Sequence, residues 1–144
     1  MAQIMMNIRP FNISDTEAVV ELWKACGLTR SWNNPYLDIE RKLKKDPEYF
    51  VVGECNDVIV AAAMFGYEGH RGWVNYLAVS PAHQRKGYAR QLMQHGEEIL
   101  LAIGCPKINL QVRETNAEAL GFYAALGYKV DASISLGKRL IPDE

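Results

Sequence analysis

Apolar and polar positions run in two rhythms along this chain, one of period two and one near 3.6, and the switches between them predict its elements. Ile4–Phe11 alternates loosely and reads as a first strand. Ser14-Asp15 then offers an N-cap, with Glu17 near the helix start. Ala18, Val19, Leu22, Trp23 and Cys26 follow at helical spacing until Gly27 stops the run, and Trp23 reads as core. Leu28–Pro35 is a polar and aromatic loop, and Asp38–Lys45 a short charged helix ended by Asp46-Pro47. Tyr49–Cys55 and Val58–Tyr67 are rich in strand formers and meet at Asn56-Asp57, residues that tolerate the positive φ of a tight hairpin. Glu68–Gly72 is a second turn, and Trp73–Val79 the next strand.

The strongest helical pattern is Gly87–Ile103, where Ala89, Leu92, Met93, Gly96, Ile99, Leu100 and Ile103 share one face. Gly104 and Pro106 end it. Lys107–Val112 alternates as a strand, Asn116–Leu126 is a helix closed by Gly127, and Tyr128–Val130 and Ile134–Leu140 read as terminal strands. There is no linker, repeat or low-complexity stretch, so residues 1–144 read as one α+β domain. An antiparallel first half is followed by a βαβα second half.

Composition narrows the partners. A net charge of −1 supplies no global attraction to nucleic acid or anionic lipid, so any anion site must be local. No apolar run approaches the ~20 residues of a membrane span. The first six residues lack the pattern of a signal peptide. Three cysteines, Cys26, Cys55 and Cys105, have no metal-type spacing and read as reduced, mostly buried thiols of a cytoplasmic protein. His83 and His95 read as surface residues, and no metal-ligand cluster appears.

The local anion site is Gln84-Arg85-Lys86-Gly87-Tyr88-Ala89, between a strand and the longest helix. A helix N-terminus presents unpaired backbone N–H groups, and its dipole favours negative charge. The loop holds one glycine and lies mid-chain, which does not fit the dinucleotide fingerprint, and the P-loop pattern is absent. An ordinary solvated turn stays open on the loop alone.

The loop is not alone. The run from Leu77 to Ala89 resembles the signature of the GNAT N-acetyltransferase superfamily, whose core is Gln or Arg, two residues, Gly, one residue, then Gly or Ala. Asn116 through Tyr128 resembles a second block of the same family, carried here by Asn116, Ala119, Phe122, Tyr123, Gly127 and Tyr128. The resemblance spans the whole element order. It implies a mixed, mostly antiparallel sheet of six to seven strands flanked by about four helices. Two splayed parallel strands, Trp73–Val79 and Lys107–Val112, would hold acetyl-CoA as co-substrate.

Carried over residue by residue, the resemblance implies that Leu77, Ala78 and Val79 offer backbone groups to the pantetheine arm. The Leu77 N–H would face the thioester carbonyl. Gln84, Arg85, Lys86, Gly87, Tyr88, Ala89 and Arg90 would hold the pyrophosphate, chiefly through backbone N–H groups, with Gly87 allowing close approach. Asn116 would cap its helix and bond the cofactor arm. Tyr123 would serve the departing thiolate, by a hydrogen bond or by proton transfer.

The base is less defined. Relatives that acetylate ribosomal-protein N-termini carry Glu where this chain has Gln111, and glutamine cannot take a proton. Glu68 is the expected replacement, acting through water, ahead of Glu114 and His70. A lysine amine near pKa ~10.4 costs about 4.6 kcal/mol to deprotonate at pH 7, an α-amine near ~7.8 only ~1 kcal/mol. The absence of an obvious base therefore suits a low-pKa amine. Arg30, Trp32 and Asn33 sit in a loop that would meet the acceptor. The expected reaction is direct acetyl transfer to a small-molecule or peptide amine. A non-catalytic acyl-CoA-binding module is the alternative, favoured by Gln111 and opposed by Tyr123. Nucleic acid and membrane partners are not expected; the oligomeric state stays open, with exposed late strands leaving room for a homodimer.

Overall fold

The computed structural model describes residues 5–143. Five strands form one sheet in the order β1-β2-β3-β4-β5: β1 Asn7–Pro10, β2 Phe50–Cys55, β3 Val58–Tyr67, β4 Gly72–Val79 and β5 Ile108–Leu110. The first four are antiparallel neighbours. Ile4, the expected first residue of β1, lies outside the described residues. Asn56 and Asp57 take φ of 50° and 64°, the two left-handed positions that a right-twisted two-residue hairpin requires.

The described residues divide into two compact units, one running to Asn109 and including Asp143, the other Leu110–Pro142. In the first, α1 (Thr16–Ala25) and α2 (Pro35–Leu43) cover one sheet face, and α3 (Tyr88–Ala102) lies against the other. Val19, Val20, Leu22 and Trp23 of α1 meet Phe50, Val52, Ala62, Met64 and Ala78. Gly96 of α3 meets Phe65 on the opposite face. Strands covered on both faces read as continuous apolar runs, which is why Val58–Tyr67 is legible to its last residue. Helix α2 starts earlier than its charges suggest. The Asn34 side chain accepts from the N–H groups of Tyr36 (3.0 Å) and Leu37 (3.4 Å), and Pro35 occupies the first helical position.

An ionic knot ties the start of the chain to the sheet. The Arg9 guanidinium forks onto the buried Asp15 carboxylate at 2.8 and 3.0 Å and reaches Glu54 at 3.2 Å. The Asn12 N–H also donates to Asp15. The Arg9 hydrogen bond holds the Asp15 carboxyl below the usual carboxylate range, against the upward push of burial.

In the second unit, α4 (Ala117–Ala125) is capped by Asn116, whose side-chain oxygen accepts from Ala119 N–H at 3.1 Å. Here the expected strand count is corrected. Among the described residues there are five strands rather than six or seven, because 128–140 join no ladder. Val130, Ile134, Leu136 and Leu140 are exposed. Alternation supplies only the side-chain pattern of a strand, and a neighbouring backbone completes it.

The three cysteines are free thiols, with Cys55 and Cys105 buried and Cys26 half-buried, as expected. Among the described residues no helix is long and apolar enough to cross a membrane.

Candidate functional site

The register of β3 on β4 slips in the middle. Ala62 opposes Ala78 but Met64 opposes Asn75, so Tyr76 and Leu77 together face Ala63. One extra residue on β4 is a bulge, and Tyr76 absorbs it at φ 55°. A bulge bends its strand and releases backbone groups from the ladder. Leu77, the expected thioester donor, is one of its two residues.

Tyr76 is held from two sides. Its ring stacks on Trp23 at 4.0 Å between centroids and 16° between planes. Its hydroxyl donates to Asp38 Oδ2 of α2 at 2.5 Å. The other Asp38 oxygen accepts from Arg41 at 3.1 Å, and Arg41 in turn forks onto Asp143 at 2.7 and 3.4 Å. Tyr76 and Asp38 were not among the expected site residues. An unremarkable tyrosine inside an apolar strand carries no sign that it will bear a bulge.

Beyond Val79 the chain turns into the expected anion loop. Arg85 and Gly87 both take positive φ, 64° and 81°, either side of Lys86. Such alternation turns successive N–H groups toward one concave side, a shape suited to phosphate oxygens. Gly87 caps α3, and its carbonyl accepts from the Gln91 N–H at 3.0 Å, so the N–H groups of the first turn point out of the helix end. A Cβ on Gly87 would meet no atom within 4 Å, so within the chain itself the glycine answers to its φ. Arg85, Lys86 and Arg90 are exposed, whereas the Tyr88 ring is buried with its hydroxyl 3.5 Å from Cys55 Sγ. Tyr88 can offer a ligand its backbone only.

The Val79 carbonyl already accepts from Cys26 Sγ and from Gln84 Nε2, each at 3.2 Å. Gln84 therefore fastens the end of β4 to the loop through one of its amide hydrogens.

Glu68 lies in the turn before β4, where the sequence places it. Its carboxylate closes the β3–β4 turn, accepting from the N–H of His70 at 2.6 Å and from the N–H of Arg71. Those backbone bonds, Arg71 first, lower its pKa, which weakens it as a base. Leu77 lies five residues beyond Gly72, at the far end of β4 and roughly 15 Å along the strand. That span is too long for one bridging water. Glu68 therefore closes the turn, and a part for it as base would run through a chain of waters rather than one.

Arg30 also works locally, donating to the carbonyls of Gly27 (2.6 Å) and Thr29 (3.0 Å) and finishing the end of α1. Trp32 stays 58% exposed. The Asn33 N–H donates to the Arg30 carbonyl at 3.1 Å, so the three form one tight turn.

In the second unit, Tyr123 of α4 lies among Phe122 and Tyr128, with ring centroids at 5.0 and 5.8 Å in edge-on arrangements. Burial pushes its phenol up to about 12. Asn116 spends its carbonyl oxygen on the cap and keeps its amide hydrogens for other partners. Gln111 Nε2 donates to Ser135 Oγ.

A sequence model of the acetyltransferase (GNAT) family matches residues 16–128. The chain is 49% identical over 139 residues to an acetyltransferase of Yersinia pestis strain Pestoides F, covering 96% of this chain and 99% of that one. Among solved structures it is similar to Ard1 from Thermoplasma volcanium, with TM-score 0.77, 25% identity, and 88% and 84% of the two chains covered. It also shares its fold with a PaiA N-acetyltransferase of Thermoplasma acidophilum in complex with coenzyme A. That likeness has TM-score 0.71, 18% identity, and coverage of 91% and 94%.

Proposed function

This chain belongs to the acetyltransferase (GNAT) family, and from that premise we propose that it moves the acetyl group of acetyl-CoA onto a primary amine by direct attack. The observation that carries this reading is the succession of a bulged β4 and a loop with positive φ at Arg85 and Gly87, a backbone shape suited to an anion. A pyrophosphate needs that cradle, and an acyl thioester needs a donor a fixed distance up the strand.

Arg85 to Arg90 bind the pyrophosphate through backbone N–H groups, and the exposed Arg85, Lys86 and Arg90 add charge. The backbone of Leu77, Ala78 and Val79 lies along the pantetheine arm. The acceptor nitrogen attacks the thioester carbon and its lone pair forms the new C–N bond. Negative charge on the carbonyl oxygen is met by the Leu77 N–H, a kind of donor worth ~3–4 kcal/mol when well aimed. The C–S bond then breaks, coenzyme A leaves as thiolate, and the ammonium proton passes to water.

Tyr123 meets the thiolate as a hydrogen-bond donor. With its phenol at about 12, outright transfer to a thiol of ordinary pKa ~8.5 would run uphill by roughly 5 kcal/mol. With Gln111 and Glu68 both engaged elsewhere, the reading favours an acceptor already neutral in part near pH 7, such as an α-amine. Trp32 and Asn33 face that acceptor. The protein works in the cytoplasm and pairs with a second copy of itself.

Thermal melting with acetyl-CoA tests the donor half. Ligand at ~100 times Kd adds about 2.7 kcal/mol of stability. No shift with millimolar acetyl-CoA or coenzyme A overturns the reading. Thiol release across a panel of amines and N-terminal peptides tests the acceptor half. Binding without any release would leave an acyl-CoA-binding module instead.

A further inference from the structure

We propose that Asp38 and Trp23 brace Tyr76 in its left-handed backbone conformation and so aim the next amide, Leu77 N–H, making Asp38 and Tyr76 positioning residues for acetyl transfer. The proposal rests on the reading of Leu77 as the thioester donor.

A bulge and a two-point side-chain anchor meet at one residue. Tyr76 sits at φ 55° within a strand, a conformation that bulky L side chains rarely adopt. The register slip puts that residue and Leu77 opposite a single partner, so the β3 ladder alone does not dictate the direction of the Leu77 amide. The Tyr76 side chain is held on its ring face by the stack on fully buried Trp23 and at its hydroxyl by the 2.5 Å hydrogen bond to Asp38. Uncommon backbone geometry persists where the surroundings over-determine it. The Trp23 indole N–H is buried without a hydrogen-bond partner, so Trp23 acts here through its ring face.

The brace is rigid because Asp38 is itself fixed. It lies in the first turn of α2, where the helix dipole favours a carboxylate, and Arg41 one turn on holds its second oxygen. Arg41 is in turn held by Asp143, whose carboxylate also accepts from the Asn34 N–H at 2.9 Å at the head of α2. The acceptor-side loop, α2 and the bulge are thereby one mechanical unit. A donor displaced by even a fraction of an ångström from a developing oxyanion loses much of its effect.

The test compares Tyr76→Phe, Asp38→Ala and Asp38→Asn with the unmodified protein. Tyr76→Phe keeps the stack and deletes the hydroxyl. Asp38→Ala deletes the acceptor, and Asp38→Asn restores one. Two measurements are made on each: Cα and amide NMR shifts of residues 76 and 77 without ligand, and kcat beside the acetyl-CoA Kd.

Tyr76→Phe and Asp38→Ala are expected to move both residues' shifts away from the left-handed signature. They should lower kcat about 10–100-fold while Kd stays within about twofold. Asp38→Asn should recover most of both. Unchanged shifts in Tyr76→Phe overturn the brace, whether or not the rate falls. Moved shifts with an unchanged rate overturn its part in catalysis. Absence of acetyl-CoA binding by the unmodified protein would overturn the proposed function instead, and the ligand-free shifts would still decide the brace.

Discussion

Gly96 of α3 lies over the ring of Phe65 in β3, so close that a Cβ on Gly96 would stand 2.1 Å from Phe65 Cε1. Phe65 is fully buried, so its ring can give way only by repacking its neighbours. The glycine is thus a spacing device: it lets the helix that carries the anion loop settle on the sheet.

Gly96→Ala should destabilise the protein even though alanine is the better helix former by ~1 kcal/mol. The buried ring must move, and with three of its atoms within 2.5 Å of the new methyl group the overpacking cost, about 1–3 kcal/mol, outweighs the gain. Urea melts of Gly96→Ala and of Gly96→Ala with Phe65→Leu check this. The double variant should recover part of the loss. A single variant more stable than the parent would refute the packing account.

Gly87→Ala isolates the loop. No atom of the chain blocks the new methyl group, so the cost is backbone strain at φ 81°, about 1–2 kcal/mol. Relaxation of that strain turns the N–H groups of the loop away from their common side. Calorimetry should show weaker acetyl-CoA binding and weaker coenzyme A binding by the same factor, since both carry the pyrophosphate. An effect on acetyl-CoA alone would point to the thioester end.

Tyr123→Phe should lower kcat about 100-fold and leave acetyl-CoA Kd nearly unchanged. Burial favours the neutral phenol, so Tyr123 in the folded protein is half-ionised only near pH 12 and stays almost wholly neutral below pH 10. Turnover should consequently show no falling limb between pH 8 and 10 that disappears in the phenylalanine variant. Finding such a limb would mean that the phenol titrates in that window.

Asp15 carries an acid dependence whose sign follows from its lowered folded pKa. Its contribution is fully present above the unfolded value, near pH ~4, and is lost as pH falls toward the folded one. Asp15→Asn should cost about 2–3 kcal/mol at pH 7, below the full figure for a buried pair because Arg9 is partly exposed. The variant should then lose less stability than the parent between pH 5 and pH 3. Parallel losses in denaturant melts would assign the acid sensitivity to other carboxylates.

Glu68→Gln should slightly lower the melting temperature, because an amide oxygen accepts the two turn N–H groups less strongly than a carboxylate. Its kcat should stay within about twofold of the parent, well short of the ~10²–10⁴ that general-base catalysis contributes. A fall of that size would return Glu68 to the mechanism.

The chain alone determined whatever depends on neighbours a few residues apart. Helical spacing, the Asn116 cap, the Asn56-Asp57 hairpin and the strand–loop–helix around Gly87 are local, because backbone geometry and short hydrogen bonds settle them. Two motifs in the right order then sufficed for the family. Tertiary structure decided what depends on partners far along the chain. The 38-residue gap between Asp38 and Tyr76 hides a hydrogen bond that no pattern announces. Alternation in 128–140 could not guarantee a partner backbone, and a carboxylate at Glu68 could not reveal that two N–H groups already claim it. Periodicity encodes which face a residue takes. Only packing decides which atoms on that face meet.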